Sequence, residues 1–264
     1  MQRRRFASAS FVIGLVLFAG YGVAAAGPRA LLELFTSQGC SSCPPADKLL
    51  GEFAADSSIV ALSLPIDMWD YLGWKDTLAL PGHSVRQRAY SRMRGDRQVY
   101  TPQMVVNGVT HVVGSDRAAI ERAIAQTEHD TAVMSVPVLL AVVGGDFSVT
   151  LKPAPAALAE PVDAEVWLCP LSGAVTVAIG RGENGGRTIT YRNVVRGWRK
   201  LGAYSGAEAT WSVPLSQMMD GHIDGAAVIV QQGSREKPGI VLGAALLPIG
   251  QHITDDRQHT TNVR

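Results

Sequence analysis

Cysteine is scarce in this chain: three residues in 264. That is too few, and too unevenly placed, for a disulfide-stapled scaffold. A chain of this length does not need staples to hold a core. Basic tracts are missing as well. Beyond Arg3, Arg4 and Arg5 no cluster of Lys or Arg occurs, and 24 basic against 23 acidic residues leave a net charge of +1. A phosphate backbone is held by clustered positive charge, so the composition argues against a nucleic-acid partner. Long apolar runs are absent from the body of the chain. Leu139 to Val143 is bounded by Pro137 and Gly144-Gly145 and reads as a short strand. A bilayer span needs about 20 apolar residues, so no transmembrane span is expected in the mature chain.

The N-terminus has the one export-like pattern. Arg3 to Arg5 precede an apolar run, Phe11 to Phe18, and then Ala24, Ala25 and Ala26. Basic, apolar and small, in that order, predicts a signal peptide over residues 1–26 and a periplasmic or secreted mature protein. An uncleaved anchor is the alternative, for which the run is short. The arginine start partly matches a twin-arginine signal, and ordinary Sec export fits equally.

From Gly27 the chain changes character once. Residues 27–130 alternate strand and helix: Ala30 to Phe35 (strand), a helix carrying Leu49, Leu50 and Phe53, Ile59 to Pro65 (strand), Ser84 to Met93 (helix), Met104 to Val106 and Thr110 to Val113 around the Asn107-Gly108 turn, and Asp116 to Glu128 (helix). This order predicts a mixed α/β sheet flanked by helices. Residues 131–249 hold short Val-, Ile-, Thr- and Trp-rich segments separated by turn residues, among them Ala164 to Leu168, Ala174 to Ile179 and Arg187 to Val195. They predict an all-β, sandwich-like antiparallel domain. Residues 250–264 read as a polar tail.

Two of the cysteines, Cys40 and Cys43, stand between the first strand and the first helix, with Pro44 and Pro45 fitting that helix's first turn. Unpaired N–H groups and the helix dipole stabilise a thiolate there. Cys40, nearer the open end, is the expected nucleophile and Cys43 the resolving thiol. A fixed structural disulfide is the plain alternative. Zinc lacks a second cysteine pair. Two thiolates with a histidine, His83 or His111, can hold Cu(I). Glu33 can relay protons to Cys43 or pair with Arg86 or Arg88. Asp47 reads as an ordinary acid at a helix N-terminus. Trp69, Tyr71 and Trp74, interleaved with Asp67, Asp70 and Asp76, read equally as a recognition lip or as glue between the two regions. Cys169 reads as a small buried hydrophobe.

Around these residues the sequence resembles the thioredoxin superfamily, in which a cis-proline loop faces the dithiol; here Thr101-Pro102 stands where that loop belongs. More narrowly, the runs Glu33 to Asp47, Asp67 to Asp76 and Tyr100 to Gly108 resemble a bacterial family of secreted or periplasmic thioredoxin-like proteins of undefined function, over most of the chain. The resemblance implies a cis Thr101–Pro102 bond beside the thiols. The Trp before the dithiol and the Gly-Pro within it, familiar from thioredoxin, are replaced by Gly39 and by Ser41-Ser42, and the gap from Cys43 to Pro102 is wider than in thioredoxin, which implies an insert at about 67–82. The expected function is exported thiol–disulfide exchange on protein partners through Cys40 and Cys43, with no organic cofactor and no resident metal. The competing expectation is a non-enzymatic binding protein or Cu(I) chaperone.

Overall fold

A computed structural model describes residues 27–249 other than 157, 159–161, 219 and 221. The expected signal peptide and polar tail lie outside the described residues.

The first region runs β1 (Ala30–Thr36), α1 (Pro44–Phe53), β2 (Ile59–Pro65), α2 (Pro81–Arg94), β3 (Gln103–Val106), β4 (Thr110–Val113) and α3 (Arg117–Thr127). Local chemistry sets the boundaries. Pro44 and Pro45 occupy the first turn of α1, and Pro81 that of α2, where a missing N–H removes no helix bond. Gly95 ends α2 in the left-handed conformation. The Asp116 side chain caps α3 by accepting from the Ala119 N–H at 2.9 Å.

The second region supplies β5 (Val138–Val143), β6 (Asp146–Leu151), β7 (Ala164–Ala178), β8 (Thr188–Val195), β9 (Arg199–Tyr204), β10 (Ala209–Pro214), β11 (Gly225–Ser234) and β12 (Lys237–Pro248). The two strands expected at Ala164 to Leu168 and Ala174 to Ile179 are one 15-residue strand, β7. Pro170 does not break it. The proline falls where that edge of β7 changes partner, from β9, which ends at Leu168, to β8, which begins at Leu171.

The two regions share one sheet. Its order is β12-β11-β7-β8-β2-β1-β3-β4, with β9 also on β7. The large sheet therefore crosses residue 131: β2 and β8 run parallel at Ser63 and Val194, and the Asn193 side chain donates to the Ala61 carbonyl at 2.9 Å. The sheet curls around α2 until its ends meet, where the Val241 N–H donates to the Asn107 carbonyl at 3.0 Å. Gly108 (φ +71°) permits that closure, because a Cβ there would stand 2.3 Å from the Gly239 carbonyl oxygen.

Three layers of core follow. Leu31, Phe35, Val60, Leu62, Leu64, Trp167, Cys169, Ala227 and Ile229 line the face under α2. On the other face Leu32, Leu34, Ala61 and Met104 pack on Leu50, Phe53, Ile120 and Ile124 of α1 and α3. Beyond them, Val166, Leu168, Val228 and Val230 pack against Phe147, Val149, Leu151 and Val213 of the separate three-stranded sheet β10-β6-β5. The molecule is thus a mixed α/β sheet with an added β-rich region and few helices.

Candidate functional site

The chain leaves β1 at Thr36, turns through Ser37 to Ser42, and enters α1 with Cys43 as its N-cap. Cys40 and Cys43 form a disulfide. The Cys43 carbonyl accepts from the Ala46 and Asp47 N–H groups, opening the helix directly behind the sulfurs. Cys40 is 4% exposed and Cys43 fully buried, so Cys40 is the outer sulfur. The Ser42 hydroxyl stands 3.4 Å from the Cys40 Sγ.

The insert at 67–82 holds the turn before the dithiol. Asp76 accepts from the Gln38 N–H at 2.8 Å and from those of Leu78 and Ala79. Burial raises the pKa of Asp76 against the opposing pull of these amides. The Trp74 indole donates to the Gln38 side-chain oxygen at 2.7 Å. Trp69 packs on Gly39, where an added Cβ would lie 2.8 Å from its own, and its indole donates to Thr101 Oγ1 at 2.7 Å. The Thr101–Pro102 peptide is cis. Gly114 fits between Pro102 and Ala46 of α1, with room for no side chain. The Thr101-Pro102 loop and the dithiol turn are therefore joined through Trp69 on one side and Gly114 on the other. Trp69 and Trp74 act as supports, whereas Tyr71 is 75% exposed.

The second region reaches the same turn. Asn184, on the tip between β7 and β8, is fully buried and donates to the Gln38 carbonyl (2.9 Å) and the Cys40 carbonyl (2.8 Å).

Asp47 is not an ordinary surface acid. It is 2% exposed, and both carboxyl oxygens lack a hydrogen-bond partner among the described residues. Burial lifts its pKa to about 8, and Asp76 adds to the rise. The Thr36 hydroxyl beside it lowers the value only partly, and the two do not reach hydrogen-bond geometry. The hydroxyls of Ser63 and Tyr191 are likewise buried without a partner among the described residues. Asp47 and Asp76 act on Tyr191, whose pKa is raised chiefly by burial. A cleft of about 850 Å³ between α1 and β8, lined by Pro44, Asp47, Lys48, Thr190 and Arg192, runs beside this polar set.

Of the other residues singled out from the sequence, Glu33 stands apart from the dithiol. It lies on the α2 face of β1, opposite α1, and takes Arg86 at 2.6 and 3.0 Å and the Tyr90 hydroxyl at 2.5 Å. Between its two expected roles it has taken the ion pair, and strand alternation is the reason. His83 Nδ1 meets the Pro65 carbonyl at 2.9 Å, and His111 lies between Tyr100 and Asp96. No group of three His, Cys, Asp or Glu side chains suited to a metal occurs among the described residues. Cys169 is a buried free thiol whose pKa burial pushes up.

Sequence reasoning missed two residues. Asp47 carried a signal: it lies three residues before Leu50 and so on the apolar stripe of its helix. Asn184 carried none, being 144 residues from Cys40.

The fold has relatives. A crystal structure of protein AGR_C_4864 from Agrobacterium tumefaciens matches with a TM-score of 0.75 and 29% identity, covering 91% of this chain and 99% of that one. HBP35 of Porphyromonas gingivalis matches with a TM-score of 0.56 at 12% identity, covering 90% and 80%, a likeness of fold alone. No curated protein matches. The family model that does match covers residues 31–231, a span holding every site residue above, and by it the chain belongs to the family described as "Protein of unknown function (DUF1223)".

Proposed function

We propose that this protein is an exported, thioredoxin-like thiol–disulfide oxidoreductase acting on protein partners through Cys40 and Cys43. The observation that carries the reading is the disulfide at the start of α1, joined to the Thr101–Pro102 loop through Trp69 and Gly114. In the oxidised form a partner thiolate attacks the Cys40 sulfur, the outer one. The Cys40–Cys43 bond breaks, a mixed disulfide forms, and Cys43 leaves as a thiolate that needs a proton. A second partner thiolate then displaces Cys40. Run in reverse, Cys40 attacks a partner disulfide and Cys43 resolves it, losing its proton. Asp47, one helical turn beyond Cys43 and with a pKa of about 8, is suited to give and take that proton near neutral pH. The cleft between α1 and β8 supplies its route to solvent.

The test is trapping in the exported compartment. Cys43→Ser should accumulate mixed disulfides joined through Cys40, visible on non-reducing gels, and Cys40→Ser should trap few or none. Absence of trapped species in both variants would leave the pair as a structural bond.

A further inference from the structure

We infer that Asn184, contributed by the β-rich second region, is a positioning residue for the dithiol, holding the Cys40 turn in its ring-closed form. The inference rests on the oxidoreductase reading and adds to it a part for the second region. Asn184 sits on the tip joining β7 to β8 and is fully buried. Its amide has two N–H donors and one oxygen, and all three are used. The donors go to the Gln38 and Cys40 carbonyls, at 2.9 and 2.8 Å. The oxygen accepts from Arg187 Nη1 at 3.2 Å, which fixes the amide with its donors toward the turn. The tip itself is held against the same turn. Trp74, bonded to the Gln38 side chain, packs on Gly180 and Gly182, and a Cβ at Gly180 would stand 3.0 Å from its ring.

This arrangement has a chemical consequence. Reduction by glutathione breaks the Cys40–Cys43 bond, forms one disulfide between two glutathiones, and passes two hydrogens to the cysteine sulfurs. Re-oxidation must bring the two sulfurs back together. A turn pinned through the carbonyl of Cys40 itself loses less freedom on closing, so each thiol presents a higher effective concentration to the other. The pinned dithiol is the stronger reductant. Releasing it should make the disulfide easier to reduce. Two hydrogen bonds of ordinary strength, only partly lost in the reduced form, correspond to about a tenfold change in the exchange equilibrium, or about 30 mV toward less negative potential.

The experiment equilibrates the mature protein in graded glutathione buffers and reads the dithiol fraction by alkylation and mass, for wild type, Asn184→Ala, Asn184→Asp and Arg187→Ala. Asn184→Asp keeps the shape and loses both donors, so it should shift the equilibrium toward dithiol at least as far as Asn184→Ala. Arg187→Ala should shift it less, in the same direction. Melting curves of the oxidised and reduced forms accompany each variant. A merely structural role would lower both melting temperatures equally and leave the equilibrium unmoved. A wild-type pair that exchanges while both Asn184 variants keep its equilibrium overturns the inference. Should those variants not fold, an unmoved equilibrium in Arg187→Ala overturns it instead. A wild-type pair that exchanges in no buffer removes the oxidoreductase reading, and this inference with it, before any variant is compared.

Discussion

Two acids lie buried on opposite faces of the same sheet, and the protein treats them in opposite ways. Glu33, on the α2 face, has a bidentate Arg86, the Tyr90 hydroxyl, and through Arg86 the Gln231 side chain at 2.8 Å. Arg86 also lies over the Trp198 ring at 4.6 Å. Asp47, on the α1 face, has neither an ion pair nor a hydrogen bond among the described residues. Burying a charge is costly unless it is paired, and an unpaired carboxyl keeps its proton instead. The Glu33 network links β1, α2 and β11, which belong to both regions, and acts as architecture. Burial raises the pKa of the Asp47 carboxyl to about 8, one helical turn from a disulfide, where the proposed exchange would use its proton.

Breaking the satisfied face should cost most. Glu33→Gln leaves Arg86 charged, buried and unpaired, and should lower stability by about 3–5 kcal/mol in chemical denaturation. A loss below about 1 kcal/mol would mean that the network carries little of the fold.

The unsatisfied face should respond to pH. The unfolded Asp47 titrates near 3.8 and the native one near 8. Between these values the native state alone holds the proton, so stability falls as pH rises, by up to about 1.4 kcal/mol per pH unit. Asp47→Asn should remove that slope, gaining on wild type from pH 5 to pH 8. Parallel profiles for the two proteins would contradict it. In the same variant, thiol exchange should slow while trapping through Cys40 persists.

The α2 face carries a slope of opposite sign. Burial holds His83 near 4, below its ordinary 6.5. Between those values the unfolded chain binds the proton and the native chain does not, so stability is lost as pH falls through that window. His83→Asn, which can still donate to the Pro65 carbonyl, should flatten the acid limb by about 1 kcal/mol per pH unit. An unchanged limb would assign acid sensitivity to other groups.

The smallest effect is expected at Tyr71, which is 75% exposed while Trp69 and Trp74 are tied into the turn. Tyr71→Ala should leave stability within about 0.5 kcal/mol. Its measure is the yield of trapped partner in the Cys43→Ser background; a reduced yield at unchanged stability makes Tyr71 a recognition residue.

Much of this was legible along the chain. Short apolar runs and the apolar stripes of helices marked β1 to β4 and α1 to α3 of the first region, because those patterns are local. The prolines after Cys43 and the Asn107-Gly108 turn were legible for the same reason. Glu33 was placed in a strand correctly, yet its face depends on where α1 and α2 pack, and that separates it from the dithiol. Two expected strands merged into β7 because Pro170 falls at a change of partner, which no local pattern reveals.

By itself, then, the sequence determined the order of strands and helices, the start of α1 at the cysteine pair, and the identity of the outer and inner sulfurs, since each depends on residues within a turn of one another. Tertiary structure alone decided that the two regions share a sheet, that Asp47 is buried with no hydrogen-bond partner among the described residues, and that Asn184 reaches the Cys40 carbonyl. Those outcomes rest on contacts between residues far apart in the chain, where packing selects the neighbour and neither propensity nor periodicity carries the information.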